Sequence, residues 1–269
     1  MDASLGGNRN FEEIGRFGSS GKTWTPKTTF LVGILLVLAS GAALAVDRPL
    51  ARWFHPQTVS PISEREAAGP SDRVPETPRS RIPGDLKRLL TWSEGFGHAV
   101  GVVLMGLVIY QLDPANRRRL VRAFCMALGS GLVADGMKLL VERTRPRAFD
   151  LGQPIWESFT GFLPGLVGGS AGQSFPSAHA ATAAGWALAL GWLYPRGRWT
   201  FVFLAFLVLC QRVESNVHFL SDVLAGAAVG CLVSSLFLPG GWLSGVFEGW
   251  ENAAIRTPSA APSFQPSSQ

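Results

Sequence analysis

Along most of the chain, uncharged apolar runs alternate with short segments that carry the polar and charged residues. The first run, Thr28–Val46, holds 19 residues without a formal charge, enough for a helix to cross a bilayer. A polar, glycine-containing stretch, residues 1–27, precedes it and reads as a flexible tail. Ala43-Leu44-Ala45 resembles a signal-peptidase site, which leaves a cleaved leader as the rival reading. A retained helix is preferred, because the apolar run and the polar head before it are both long for a leader. Residues 47–91 mix charges with seven prolines and read as a loop, with short surface helices around Leu50–Phe54 and Asp85–Leu90.

Five more runs follow: Phe96–Leu112, Leu120–Val141, Ser177–Tyr194, Trp199–Cys210 continuing through Arg212, and Phe219–Leu238. Glu142–Phe175 between them reads as a glycine-rich polar loop. The pattern predicts an all-α, integral-membrane six-helix bundle, with residues 92–239 as its core and five of the six spans. In residues 240–269, Trp242, Val246, Phe247 and Trp250 can form one apolar face on the membrane surface. The Ser/Pro/Ala-rich end, Thr257–Gln269, reads as disordered.

Composition strengthens the membrane reading: apolar residues make up 47% and charged ones only 16%. The net charge of +5 comes without a basic stripe interleaved with aromatics, so nucleic acid is not a partner. Cys125, Cys210 and Cys231 lie in apolar runs without metal-ligand spacing and read as small buried side chains. Six spans place both termini on one side, together with the arginine-rich turns Arg117–Arg122 and Arg196–Arg198. The positive-inside rule makes that side cytoplasmic, and the opposite helix ends extracytoplasmic.

The candidate chemistry lies at those opposite ends. Arg212-Val-Glu-Ser-Asn-Val-His218-Phe-Leu-Ser-Asp222 joins the last two spans. On a helix starting here, His218 and Asp222 would share a face, and the carboxylate could hold one ring N–H while the other nitrogen acts. Arg212 offers a planar fork suited to phosphate. Lys138 and Arg145 close the third span and would align across two helical turns, with Pro146 ending the helix. Pro176-Ser177-Ala178-His179 opens the fourth, where the N–H groups of Ser177, Ala178 and His179 would face outward as an anion site. No Asp/Glu/His set has metal-ligand spacing, so charge neutralisation falls to Lys138, Arg145 and Arg212. Together these groups describe a phosphoryl-transfer site.

Lys138-x6-Arg145-Pro146, Pro176-Ser177-x-His179 and Arg212-x5-His218-x3-Asp222 resemble the three-part signature of the type 2 phosphatidic-acid phosphatase/haloperoxidase superfamily. The resemblance spans about Phe96–Leu238. Ala178 stands where that family usually has glycine, and Gln211 where serine is common. The resemblance implies a helical fold of the acid phosphatase/haloperoxidase type and hydrolysis of a lipid phosphate or diphosphate. In the implied mechanism His218 attacks phosphorus to give a phosphohistidine. Asp222 orients it, and His179 protonates the departing oxygen and then activates water. Lys138, Arg145, Ser177, Ala178 and Arg212 bind the phosphate, and no metal or cofactor takes part. The implied partners are a lipid phosphate substrate and membrane lipids. A lipid-to-lipid phosphotransferase and a non-catalytic lipid-binding or transport protein are the alternatives.

Neighbouring charges read as structural. Asp135 can pair with Lys138, Glu94 with His98, and Arg143 and Arg147 contact solvent or headgroups.

Overall fold

The computed structural model describes residues 24–55, 82–163 and 169–252. Most of residues 1–27 and all of Thr257–Gln269 lie outside them, as does most of the proline-rich connector. The described chain is mostly helical. Helix α1 is Pro26–Phe54, α2 Gly84–Gly97, α3 Ala99–Leu112 and α4 Arg119–Lys138. Helices α5 Ala178–Leu193, α6 Arg198–Glu214, α7 Leu220–Phe237 and the short α8 Ser244–Asn252 follow. The polar loop before α5 holds a small antiparallel pair, β1 Val141–Arg143 and β2 Phe159–Phe162, which an all-α reading omits.

α1, α4 and α7 are each long and apolar enough to cross a membrane. α2 and α3 pass that test only together, and they meet at 72°. α5 and α6 are shorter, with 16 and 17 residues. The expected second span, Phe96–Leu112, therefore begins only at Ala99. His98 breaks the chain in extended conformation and caps α3, its Nδ1 accepting from the Val100 N–H at 3.3 Å. α1 departs the other way. Thr25 and Thr28 form a capping box with Pro26 in the first turn, and the helix runs past Pro49 to Phe54. Its 29 residues are about 43 Å long, well beyond the hydrocarbon thickness, so one end carries polar residues out of the apolar zone.

α5 is the central helix, buried along most of its length against α4, α6 and α7, while α1 packs on the outside of α7. Trp186 of α5 is fully buried and stacks on Phe124 of α4 with ring centroids 6.0 Å apart. The outward side of α1 carries exposed Phe30, Leu31, Leu35 and Leu38, as a lipid-facing surface does. Two glycines set the spacing near the start of α5. A Cβ on Gly226 of α7 would lie 2.2 Å from the Ser177 carbonyl, and one on Gly97 would lie 2.7 Å from the His179 carbonyl. Only glycine lets α7 and the end of α2 approach so closely.

At the opposite end Arg122 is buried, unlike the exposed turn arginine the sequence suggested. It pairs with Glu251 of α8 at 2.9 Å and lies between the rings of Trp192 and Phe247. It therefore fixes α8 to the bundle and does not face a membrane surface.

Candidate active site

His218 lies in the turn between α6 and α7 and is 3% exposed. The chain reverses at Asn216, whose φ is 51°, a conformation asparagine tolerates. The His218 N–H then returns to the Arg212 carbonyl at 3.2 Å. The His218 Nδ1 stands 2.7 Å from the Ser174 carbonyl oxygen. A carbonyl only accepts, so in the neutral ring Nδ1 carries the hydrogen and Nε2 keeps its lone pair. Burial, reinforced by the charges of Arg145 and Lys138, pushes the His218 pKa well below the usual imidazole range.

Asp222 does not take that ring hydrogen. Its Oδ2 is 3.9 Å from Nδ1, beyond hydrogen-bond distance. α7 starts at Leu220, so His218 precedes the helix and the expected shared face does not form. Asp222 instead accepts the Phe219 N–H at 2.9 Å, capping α7, and the Ser174 hydroxyl at 2.6 Å. Its carbonyl also accepts the Ser177 N–H at 3.0 Å. That N–H is thus engaged and does not face outward with those of Ala178 and His179. The first N–H groups of α5 have no carbonyl one turn back within the helix, which leaves its N-terminus an anion-binding end.

Behind Asp222 is a buried ionic network that residue-by-residue reading missed. Arg143 is fully buried, where exposure to solvent or headgroups was expected. Its guanidinium donates to Asp222, to Asp47 of α1 at 2.8 Å, to the Ser221 hydroxyl at 2.6 Å and to the Ser158 hydroxyl at 3.0 Å. The rings of Phe159 and Phe219 lie 4.4 and 4.3 Å from its central carbon. Asp47 accepts in turn from the backbone N–H of Ser221 at 2.9 Å and from its hydroxyl. One planar fork thereby ties α1, the β1 strand and the start of α7 together.

The cationic groups arrive from three elements. α4 ends at Lys138, so Lys138 and Arg145 do not share a helix face as expected. The Lys138 ammonium pairs with Asp135 at 2.8 Å, and Lys138 remains close enough to act electrostatically on His218. Arg145 sits in the loop after β1, where its N–H bonds the Ala171 carbonyl at 2.9 Å. The Arg145 Nε and the Ser177 hydroxyl are both buried and have no hydrogen-bond partner among the described residues. Arg212 at the end of α6 meets Glu94 of α2 at 2.6 Å, and the same Glu94 oxygen is 3.9 Å from His179 Nε2. The expected Glu94–His98 pair gives way to this arrangement, because the break at His98 turns Glu94 toward α5 and α6.

A membrane-embedded helical bundle with a histidine and a cluster of cations at one end has the groups that binding and transferring a phosphoryl group require. The model of the PAP2 superfamily matches residues 119–243. The chain is 30% identical over 168 residues to a lipid A 1-phosphatase of Rhizobium etli, covering 56% of this chain and 69% of that protein. A lipid A 1-phosphatase of Rhizobium johnstonii is 29% identical over 174 residues, covering 58% of this chain and 68% of that protein. A solved PAP2-type phosphatidylglycerolphosphate phosphatase from Bacillus subtilis aligns over 83% of this chain and 98% of that one, at 19% identity and a TM-score of 0.46. The chain belongs to the PAP2 superfamily and is a membrane phosphatase.

Proposed function

We propose that the protein removes the phosphate monoester of a membrane glycolipid, of the kind the lipid A 1-phosphatases act on, through a phosphohistidine on His218. The observation that carries this reading is the pairing of His218 Nδ1 with the Ser174 carbonyl, which leaves the Nε2 lone pair available beside two unpartnered buried donors. Nε2 attacks phosphorus while the phosphate oxygens are held by Arg145, Ser177, Lys138, Arg212 and the N–H groups opening α5 at Ala178 and His179. His179 gives a proton to the leaving oxygen, then takes one from the water that cleaves the phosphorus–nitrogen bond. Asp222 acts one step back, through Ser174. Charge neutralisation by these side chains makes the reaction metal-independent.

A groove of about 830 Å³ supports a lipid substrate. It runs from His179 and Asp135 past Leu128, Leu132 and Phe124 to Phe237 at the far end of α7, and its walls are mainly apolar. An acyl chain lying there keeps its phosphate at the site end. The arginines at 117–119 and 196–198 lie at the opposite end, so the site end faces the extracytoplasmic side. Residues 92–239 form the catalytic core and α1 is a retained span.

Phosphate release by purified protein from lipid A, phosphatidate, phosphatidylglycerol phosphate and polyprenyl diphosphate tests the reading. Lipid A is expected to be preferred, EDTA to leave the rate unchanged, and acid-labile, base-stable phosphate to appear on wild-type protein but not on His218→Ala. Near-normal turnover by His218→Ala would overturn the mechanism.

A further inference from the structure

In the resting site the phosphate-binding cations are not equivalent. Arg145 Nε and the Ser177 hydroxyl are buried and unpartnered among the described residues, whereas Arg212 is engaged by a carboxylate. That carboxylate comes from Glu94 in the last turn of α2, just before the 72° bend. The glycine contact of Gly97 with the His179 carbonyl fixes where this turn sits. Gln211 braces both members of the pair. Its carbonyl oxygen accepts from Arg212 Nε at 2.5 Å, and its amide nitrogen lies 3.5 Å from the second Glu94 oxygen. The groups facing Glu94 are therefore Arg212 and Gln211 from α6 and His179 from α5, and past the bend the His98 ring lies against that of His179 with centroids 5.5 Å apart. Lys138 of α4 is drawn to Asp135.

We propose that Glu94 is a resident competitor for the phosphate site: its carboxylate holds Arg212 until a substrate phosphate displaces it, and it thereby selects against small free anions. The inference rests on the phosphatase reading above. An anion at Arg145, Ser177 and the α5 N-terminus must also take Arg212 from Glu94 to gain its full set of contacts. Inorganic phosphate has only its charge to offset that exchange. A lipid phosphate has in addition the apolar contacts of its chains in the groove, and that remote binding energy can be spent on displacing the carboxylate. The exchange costs both anions the same, but only the lipid phosphate has groove contacts to offset it, so free phosphate binds weakly and leaves the site. Gln211 acts as the positioning residue that aims Arg212 and Glu94 at one another.

The test is direct binding of inorganic phosphate, measured by isothermal titration to full-length protein in detergent, for wild type, Glu94→Gln, Glu94→Asp and Gln211→Ser. Glu94→Gln is expected to bind phosphate about tenfold more tightly or better, because the glutamine amide competes for Arg212 without a charge. Gln211→Ser should shift binding in the same direction by less, and Glu94→Asp should fall between wild type and Glu94→Gln. Unchanged or weaker phosphate binding in Glu94→Gln, with the wild-type thermal midpoint retained, overturns the proposal and leaves Glu94 as a brace for Arg212. Turnover of the lipid panel by wild type reports separately on the phosphatase reading, since the binding comparison needs no turnover.

Discussion

His218 and Asp222 are four residues apart and do not touch: 3.9 Å separates Nδ1 from Oδ2, and Ser174 stands between them. Ser174 gives its hydroxyl to Asp222 at 2.6 Å and its carbonyl to the His218 ring at 2.7 Å. The aspartate therefore fixes the segment that fixes the histidine. An asparagine at 222 would turn an NH2 group toward donors, since every side-chain contact of Asp222 is an N–H or O–H. Asp222→Asn is expected to lower kcat about 100-fold or more. Ser174→Ala cuts the hydroxyl link but keeps the carbonyl and leaves the Phe219 and Arg143 contacts of Asp222 in place, so it should cost less, about tenfold. Single-turnover phosphorylation rates separate the two variants. Equal losses would show that Asp222 acts on the histidine through the Ser174 hydroxyl alone and that its other contacts do not matter for turnover.

Arg143 neutralises two buried aspartates from distant parts of the chain. Arg143→Ala leaves both without a counter-charge and is expected to destabilise the protein by about 3–5 kcal/mol. Arg143→Lys keeps the charge but cannot bridge both carboxylates and both serines, so it should recover only part of the loss. Thermal midpoints in detergent, referenced to denaturant curves, give the comparison.

The pH dependence of stability follows from the buried imidazole. Folded His218 binds its proton only well below the ordinary value of 6.5, so under mildly acidic conditions the unfolded chain holds more protons at this residue. Its stability contribution is complete above that value and is lost as pH falls below it, by at most ~1.4 kcal/mol per pH unit. Between pH 8 and pH 5 the wild-type midpoint should fall relative to His218→Gln, whose side chain does not titrate. A constant gap across that range would show that His218 protonates as readily folded as unfolded.

Glycine-to-alanine changes offer a test whose sign depends on the neighbour. Gly129 of α4 has nothing within 4 Å of an added Cβ, so alanine there is expected to stabilise by about 0.5–1 kcal/mol through helix propensity. A Cβ at Gly226 would meet the Ser177 carbonyl at 2.2 Å and push α7 off the start of α5. Gly226→Ala should destabilise by about 1–3 kcal/mol and lower kcat with it, because Ser177 and Asp222 move apart. Melting curves and turnover on the pair of variants check both signs.

The helices were legible because lipid leaves few alternatives: an uncharged run must satisfy its own backbone, so apolar length predicts helix. Their ends were less legible. α1 passes through Arg48 and Pro49, residues that read as the start of a loop, because its last turns are held by tertiary bonds. Arg48 and Arg52 donate to the Leu151 carbonyl at 2.8 and 2.7 Å. The motif residues Lys138, Arg145, Ser177, His179, Arg212, His218 and Asp222 were findable by spacing, and the structure gathers them at one end of the bundle. The partners of Arg143 and Glu94 were not, since local rules pair a charge with its neighbours in sequence. Asp47 and Arg143 are 96 positions apart, and Gln211 and Glu94 are 117.

The insertion of Asp47 into the ionic network has a consequence for biogenesis. α1 is synthesised before the other described helices, yet its aspartate meets Arg143 only after 96 further residues and Ser221 only after 174. Until then the carboxylate lacks these partners and has to stay in water at the membrane edge. The site end therefore closes late, when the final span arrives, and an arrested nascent chain that ends before Ser221 carries an N-terminal helix not yet locked in place. Protease accessibility of that helix should drop in one step as the nascent chain passes the start of α7.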